Sequence, residues 1–337
     1  MERVSNEKID IVIPWVDGND IKWQQEKAKY DKNTSTMYDD WTKSTMRYRD
    51  WGTLKYVFRG IEKNMPWVNK IYFVTCGQKP EWLDTTNPKL VMVDHKDYIP
   101  NKYLPTFNSN VIELNFHRIK DLSNNFIAFN DDFYVLRKTK QSDFFKNGKP
   151  VHSAILNVVM PDEITHPEYY NTVILNKHFN KNEVLKKNFT KWFNVKYFPQ
   201  IIRTFFLLPW PKFTRLYETH LPLPHKKEYF ELLWDKEKDV LDKTCNNKFR
   251  GIEDVSHWLM SDWYRVEGNF IPRCPNLGKH FESSIDKKIV NIVRRKKYKI
   301  VCINDVNGLN EEEFKIQKEM LINALETALP EKSSFEK

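Results

Sequence analysis

The chain has 337 residues, of which only nine are glycine, and no two of those are closer than eight positions. Globular chains average about 7% glycine. The P-loop and the dinucleotide fingerprint each need several glycines in one short loop, so both are excluded. Lys and Arg outnumber Asp and Glu by 54 to 45, a net charge of +9 that favours anionic partners.

Ile9 to Val16 is mostly apolar and β-branched and reads as a buried first strand, ended by the turn residues Asp17-Gly18-Asn19-Asp20. A polar region follows to Arg49. Leu54, Val57, Phe58 and Ile61 then fall at helical spacing, and Asn64 and Pro66 stop the helix. Ile71–Thr75 and Leu90–Val93 are the second and third strands. Asn110–Ile119 is expected to be helical, and Phe126–Phe129 is a fourth strand followed by Asn130-Asp131-Asp132. Strands alternating with helices predict an α/β fold with a mainly parallel sheet. Ligands in such sheets bind beyond the carboxyl ends of the strands.

The second half is less regular. Leu185–Tyr217 mixes basic residues with Trp192, Phe193, Tyr197, Phe198, Phe205, Phe206 and Trp210. That chemistry suits either a membrane interface or a groove and core. Helices are expected at Lys227–Trp234, at Ile252–Val266, and from an Asn310 cap to Leu329 with Phe314, Leu321, Leu325 and Ala328 on one face. The expected organisation is one catalytic α/β unit over 1–305, with 185–217 inserted in it, and a C-terminal helix and tail over 306–337. Met1–Asp10 is too polar for a signal peptide, and no apolar stretch is long enough to span a bilayer. Four scattered cysteines form no CxxC pair and fit a reducing, cytoplasmic setting. No block of five consecutive basic residues marks a nucleic-acid footprint, so none is expected as a partner.

Asn130-Asp131-Asp132 is the sharpest local signal. Two carboxylates at a strand end suit a divalent cation held through oxygen, although a turn or helix cap uses the same residue types. Adjacent strand residues face opposite ways, so both can ligate only if the backbone turns there. Arg47, Arg49, Lys55 and Arg59 surround a helix start and suit either a diphosphate or a solvated basic face. His220 and His225, five apart across two prolines in a rigid extended segment, suit either a general base or a structural role.

These residues together resemble the Stealth family. Ile9-Asp10-Ile-Val-Ile-Pro-Trp15-Val16-Asp17-Gly18 resembles its first conserved block. Arg47 to Asp132 resembles the second, including Arg49-Asp50, Pro66 to Leu83, Glu113, His117-Arg118-Ile119 and Phe129-Asn-Asp-Asp132. His220-Leu-Pro222 with Arg250 resembles the third, and Cys302 to Leu309 looks like the family's bacterial members. Asp17 and Trp51 depart from residues common elsewhere in the family.

The resemblance implies a Rossmann-like or glycosyltransferase-A-like sheet. It also implies transfer of a sugar-1-phosphate from a nucleotide sugar, UDP-linked by family-level expectation, to a glycan or lipid-linked oligosaccharide in capsule or exopolysaccharide synthesis. The phosphodiester forms with release of a nucleoside monophosphate, and Mg2+ or Mn2+ is the implied cofactor. On that reading Asp131 and Asp132 bind metal or activate the hydroxyl, His220 is the base or a phosphate contact, and Arg250 and Arg118 stabilise phosphoryl charge. Asp17, Gly18, Arg49, Asp50 and Asn130 lie at the donor pocket. Two other classes stay open: a metal-dependent glycosyltransferase releasing a nucleoside diphosphate, and a non-catalytic basic lipid- or nucleic-acid-binding protein. Enzyme action is expected in the cytoplasm or peripherally at the inner face of the membrane.

Overall fold

The computed structural model describes residues 7–31, 48–160, 166–282, 284–305 and 309–337. Strands β1 (Ile9–Pro14), β2 (Ile71–Thr75), β3 (Leu90–Asp94) and β4 (Asn125–Ala128) pair in parallel, with β1 between β2 and β4. Their side chains alternate between two separate cores. Ile9, Ile11 and Ile13 face one, and Val12 faces the other. A parallel sheet covered on both faces is the reason these strands are nearly all apolar.

Asp10 is the charged exception, and it is fully buried. Its carboxylate accepts from Asn69 Nδ2 at 2.7 Å, Lys70 N at 3.1 Å and Ser123 N at 2.8 Å. It therefore staples the loops that enter β2 and β4 to the start of β1.

After β4 the chain leaves this sheet. β5 (Phe133–Val135) joins a second one, while β6 (Phe145–Lys146) and β7 (Lys149–His152) form a short hairpin. β8 (Leu223–Lys226), carrying His225, returns antiparallel along β4 and completes the order β3-β2-β1-β4-β8. β9 (Ile271–Pro272) pairs with β7. β10 (Gly278–Glu282) runs parallel to β11 (Ile300–Asn304), which pairs antiparallel with β5. The architecture is thus α/β with a parallel-rich main sheet, as expected from the pattern of strands.

On one face of the main sheet pack the helices Leu54–Asn64, Lys287–Arg294 and Glu311–Ala328. The first lies so close to β5 that a Cβ on Gly60 would sit 2.8 Å from Val135 O, so only glycine fits there. The last starts at Asn310, which forms a capping box with Glu313. It shares the core through Leu321, Leu325 and Ala328, and Arg59 binds Glu326, Glu336 and Leu329 O. The C-terminal helix and tail are therefore integral to the fold. Arg59 is neither a phosphate ligand nor a solvated charge; it is buried as the clamp on that tail.

On the other face lie the helices Ser109–Leu114, His166–His178, Lys227–Lys236 and Trp258–Glu267. Two differences from expectation have local causes. Ile21–Tyr30 is helical, capped by Asp20 to Lys22 N and Trp23 N, but buries no residue and so shows no apolar stripe. The helix expected over 110–119 stops at Leu114, because Asn115 turns its Nδ2 back onto Val111 O and a 3-10 turn follows.

Candidate active site

β1 lies between β2 on one side and β4 on the other, so the connections reverse direction between β1 and β4. That reversal is where α/β sheets bind ligands. A cleft of about 750 Å³ opens there, lined by Trp15 and Val16 beyond β1 and by Asn130, Asp131 and Asp132 beyond β4. Its size is that of an ordinary small-molecule site.

The backbone does turn at the acidic tripeptide. Phe129 N still bonds to Val12 O, while Phe133 N turns back to Asn130 O at 3.4 Å and starts the second sheet. The turn meets the condition for both carboxylates to serve one site. Asp131 keeps solvent contact through the cleft but is surrounded by protein, and this desolvation with the nearby Asp50 pushes its carboxyl up to about 6. Asp132 is pushed further up by burial and by Asp131. Its Oδ1 is buried without a hydrogen-bond partner. Two crowded carboxylates, one with a buried orphaned oxygen, are what a bound hard cation would relieve, so the donor set fits Mg2+ or Mn2+.

A second strand end meets the first. β11 finishes at Asn304, followed by Asp305, and Ile303 N bonds to Asp132 O at 3.3 Å. Asn304 and Asp305 both line the cleft. Asp305 binds Arg49 Nε at 3.0 Å, and the Arg49 guanidinium lies 4.4 Å over the Phe314 ring. Arg49 is thereby presented to the cleft beside Asp50. Sequence reasoning did not single out Asn304-Asp305, although it repeats the Asn-Asp of the first strand end.

His220 arrives from the segment before β8. Its φ is +48°, in the left-handed region that a non-glycine residue enters at a cost. The ring stacks on His280 at 4.6 Å and meets Trp258 edge-on at 5.6 Å. Burial, then His280, Arg250 and His257, push its pKa down to about 3, so the imidazole is neutral. Donor atoms of His220, His280 and Cys302 lie within 4.8 Å of one another. Burial holds the Cys302 thiol well above its ordinary pKa, however, and it donates to Asn304 Oδ1 at 2.9 Å. The protonated thiol is a hydrogen-bond donor here, and the oxygen set remains the better cation site. His225, in contrast, is fully buried and bonds His257 Nδ1 at 2.9 Å, a structural role.

Arg250 lines the cleft with its Nη2 on Ser109 Oγ at 2.5 Å. Near it, burial pushes Glu113 up to about 7 against the opposing pull of Arg250. Glu113 and His280 are cleft residues that local sequence pattern could not assign a role. At the far end Glu218 meets the buried Arg265, and that guanidinium with His152 holds Glu218 down to about 2 despite burial.

Several residues expected at the site stand elsewhere. Arg118 is exposed and lies 4.8 Å over the Trp234 ring, with Nε on Asn115 Oδ1. The early end of the Ser109–Leu114 helix turns it outward, and it does not line the cleft. Asp17 is also outside the lining. It shapes the turn after β1, with Oδ1 accepting from Asn19 N and its backbone held by Gln78. Gly18 acts at one remove, since a Cβ there would sit 2.0 Å from Tyr48 O, and Tyr48 does line the cleft. Trp51 is a lining residue, and Arg47 lies outside the described residues.

Residues 7–35 and 47–152 match the family models described as Stealth protein CR1, conserved region 1, and Stealth protein CR2, conserved region 2. The chain is 44% identical to capsular polysaccharide phosphotransferase WcwK of Streptococcus pneumoniae over 98% of both chains. It is 39% identical to exopolysaccharide phosphotransferase cps2G of Lactiplantibacillus plantarum, over 98% of this chain and 96% of the relative. It is 40% identical to receptor polysaccharide phosphotransferase WefC of Streptococcus gordonii, over 98% and 99%.

Proposed function

The chain belongs to the Stealth family, and on that premise we propose that it is a polysaccharide phosphotransferase. It moves a hexose- or N-acetylhexosamine-1-phosphate from a nucleotide sugar, with UDP as the expected carrier, to a hydroxyl of a glycan or lipid-linked oligosaccharide. The observation that carries this reading is the meeting of Asn130-Asp131-Asp132 with Asn304-Asp305 in a cleft that also holds Arg49, Arg250 and a neutral His220. The order β3-β2-β1-β4-β8 supports a glycosyltransferase-A-like reading of the sheet.

The acceptor oxygen attacks the phosphorus next to the sugar. The bond from that phosphorus to the bridging oxygen breaks, and the nucleoside monophosphate leaves. The sugar C1–O bond stays intact, so anomeric configuration is kept. Such a transfer needs in-line positioning and charge stabilisation more than covalent help. Asp131 and Asp132 would hold Mg2+ or Mn2+, which supplies charge neutralisation at the diphosphate when bound. Arg250 and Arg49 contact phosphate oxygens, and Trp15, Tyr48 and Trp51 wall the donor. His220, neutral in its buried setting, accepts the acceptor's proton at an imidazole nitrogen. The described cysteines are all free, which suits a cytoplasmic site of action.

The test is incubation with UDP-, CDP- and GDP-sugars, Mg2+ and a glycan acceptor, with mass detection of the nucleotide released. A nucleoside monophosphate together with a phosphodiester product supports the reading. A nucleoside diphosphate would make the protein a glycosyltransferase, and binding without turnover would make it a binding protein.

A further inference from the structure

From Val184 to Tyr217 the chain carries seven Lys or Arg and no Asp or Glu. The structure divides the aromatics of this stretch. Trp192 and Tyr197 are buried, and Phe193 is partly so. Phe189, Val195, Phe198, Phe205, Phe206 and Trp210 are exposed, Val195 at 87% and Phe206 at 74%. Part of this set is continuous in space. Phe189 stacks on Phe193 at 4.6 Å, and Phe193 meets Phe205 at 5.7 Å.

The Ile201–Leu207 helix is the centre of this surface and is built against the usual rule. It turns Thr204 and Leu207 inward and Ile202, Phe205 and Phe206 outward. A surface helix in water presents the opposite pattern. The fold holds it in place. Thr204 Oγ1 accepts from Leu156 N at 3.0 Å, and the buried Lys181 ammonium caps Leu207 O and Leu208 O at 3.0 and 2.8 Å. The same stretch carries Lys186, Lys187, Lys196, Arg203 and Lys212, all exposed. Lys186, Lys187 and Lys212 have no ion-pair partner among the described residues.

We propose that this face docks the protein on an anionic lipid surface, with Phe198, Phe205, Phe206 and Trp210 entering the headgroup–acyl boundary and the lysines meeting lipid phosphates. Basic residues around exposed aromatics are the composition of interfacial segments. No helix among the described residues is long and apolar enough to cross a membrane. A second copy is the weaker occupant. An isologous dimer would set this basic stretch against itself, within a chain of net charge +9. The same stretch runs on to Arg215, which lines the cleft with Glu218. Vesicle binding needs no turnover and so is separable from phosphotransfer.

The full chain is sedimented with vesicles of phosphatidylcholine alone and of phosphatidylcholine with about 30% phosphatidylglycerol. Binding to the anionic vesicles, weak binding to neutral ones and loss in high salt are expected. Phe205→Ser/Phe206→Ser/Trp210→Ser should weaken anionic-vesicle binding by about tenfold or more, with the far-UV spectrum and melting temperature of the parent. Should that variant misfold, Lys186→Glu/Lys187→Glu/Lys212→Glu changes only exposed, unpaired groups and should give the same loss. No binding of the parent chain to anionic vesicles would overturn the proposal. So would unchanged binding of a folded variant, or a dimer that the Ser variant turns into monomer.

Discussion

Replacing Arg265 by Met tests how the cleft floor is built. Arg265 is fully buried. It donates to Ser261 O, Ser153 O and Tyr217 O at 3.1–3.3 Å and meets both Glu218 and Asp262. Met keeps the bulk but takes from the Glu218 carboxylate, whose side chain is 4% exposed, its ion-pair partner and the strongest cation acting on it, leaving the weaker pull of Arg215. His152 Nε2 is 3.6 Å away, and burial lowers that imidazole's pKa. Breaking a buried pair from one side costs about 3–5 kcal/mol. With an unfolding entropy of about 2.1 cal/mol/K per residue, this chain should melt roughly 4–7 °C lower at neutral pH.

The dependence on pH separates this cause from lost packing. In the parent, Glu218 titrates at about 2, below its ordinary 4.5. Its stabilising contribution is complete above 4.5 and is lost as the pH falls through about 2. Without Arg265, burial drives Glu218 upward instead, so the variant's deficit should shrink as the pH falls from 7 toward 5. Adding Glu218→Gln should restore more than half of the lost melting temperature. Calorimetry at the two pH values, on parent, single and double variants, reads all of this. A deficit that stays equal at pH 5, or a Gln variant that restores nothing, would refute the reasoning.

Asp132→Asn and His220→Ala should each lower turnover about 100-fold or more. For Asp132→Asn the melting temperature at neutral pH should not fall, because the parent carboxylate is raised and its charged form is penalised there. A large melting loss with intact turnover would reverse the assignment. Asp10→Ala strands three donors and should cost about 2–3 kcal/mol, measured by urea unfolding, while turnover of the folded protein stays unchanged. Donor affinity by calorimetry should weaken as the pH rises through about 7, where Glu113 beside Arg250 ionises and repels phosphate. Glu113→Gln should flatten that dependence, and a profile that keeps its slope would remove Glu113 from the donor site.

The first four strands, the Leu54–Asn64 helix and the capped C-terminal helix were legible because their signals are local. A strand buried on both faces is a continuous apolar run, and Asn310 with Glu313 marks a helix start within four residues. The acidic strand end after β4 was legible for the same reason. The second sheet was not, since β5 and β11 are about 170 residues apart and neither alternates clearly. Arg118 shows the converse. Its neighbours suggested the site, but one asparagine ended its helix early and turned it onto Trp234. In the Leu185–Tyr217 stretch composition alone could not sort buried Trp192 from exposed Phe206, because both are simply aromatic until a core exists to take one and leave the other.

By itself, then, the sequence determined the class of fold, the absence of a glycine phosphate cradle and the two aspartates at a strand end. Each follows from composition or from residues within a few positions of one another. Tertiary structure alone decided that Asn304-Asp305 and His280 line one cleft with those aspartates, and that Arg250 joins them there while Arg118 does not. A site of this kind is a property of long-range closure. β5 and β11 meet only once the chain has folded back on itself, and nothing in the spacing of residues records which side chains will then share one desolvated cleft.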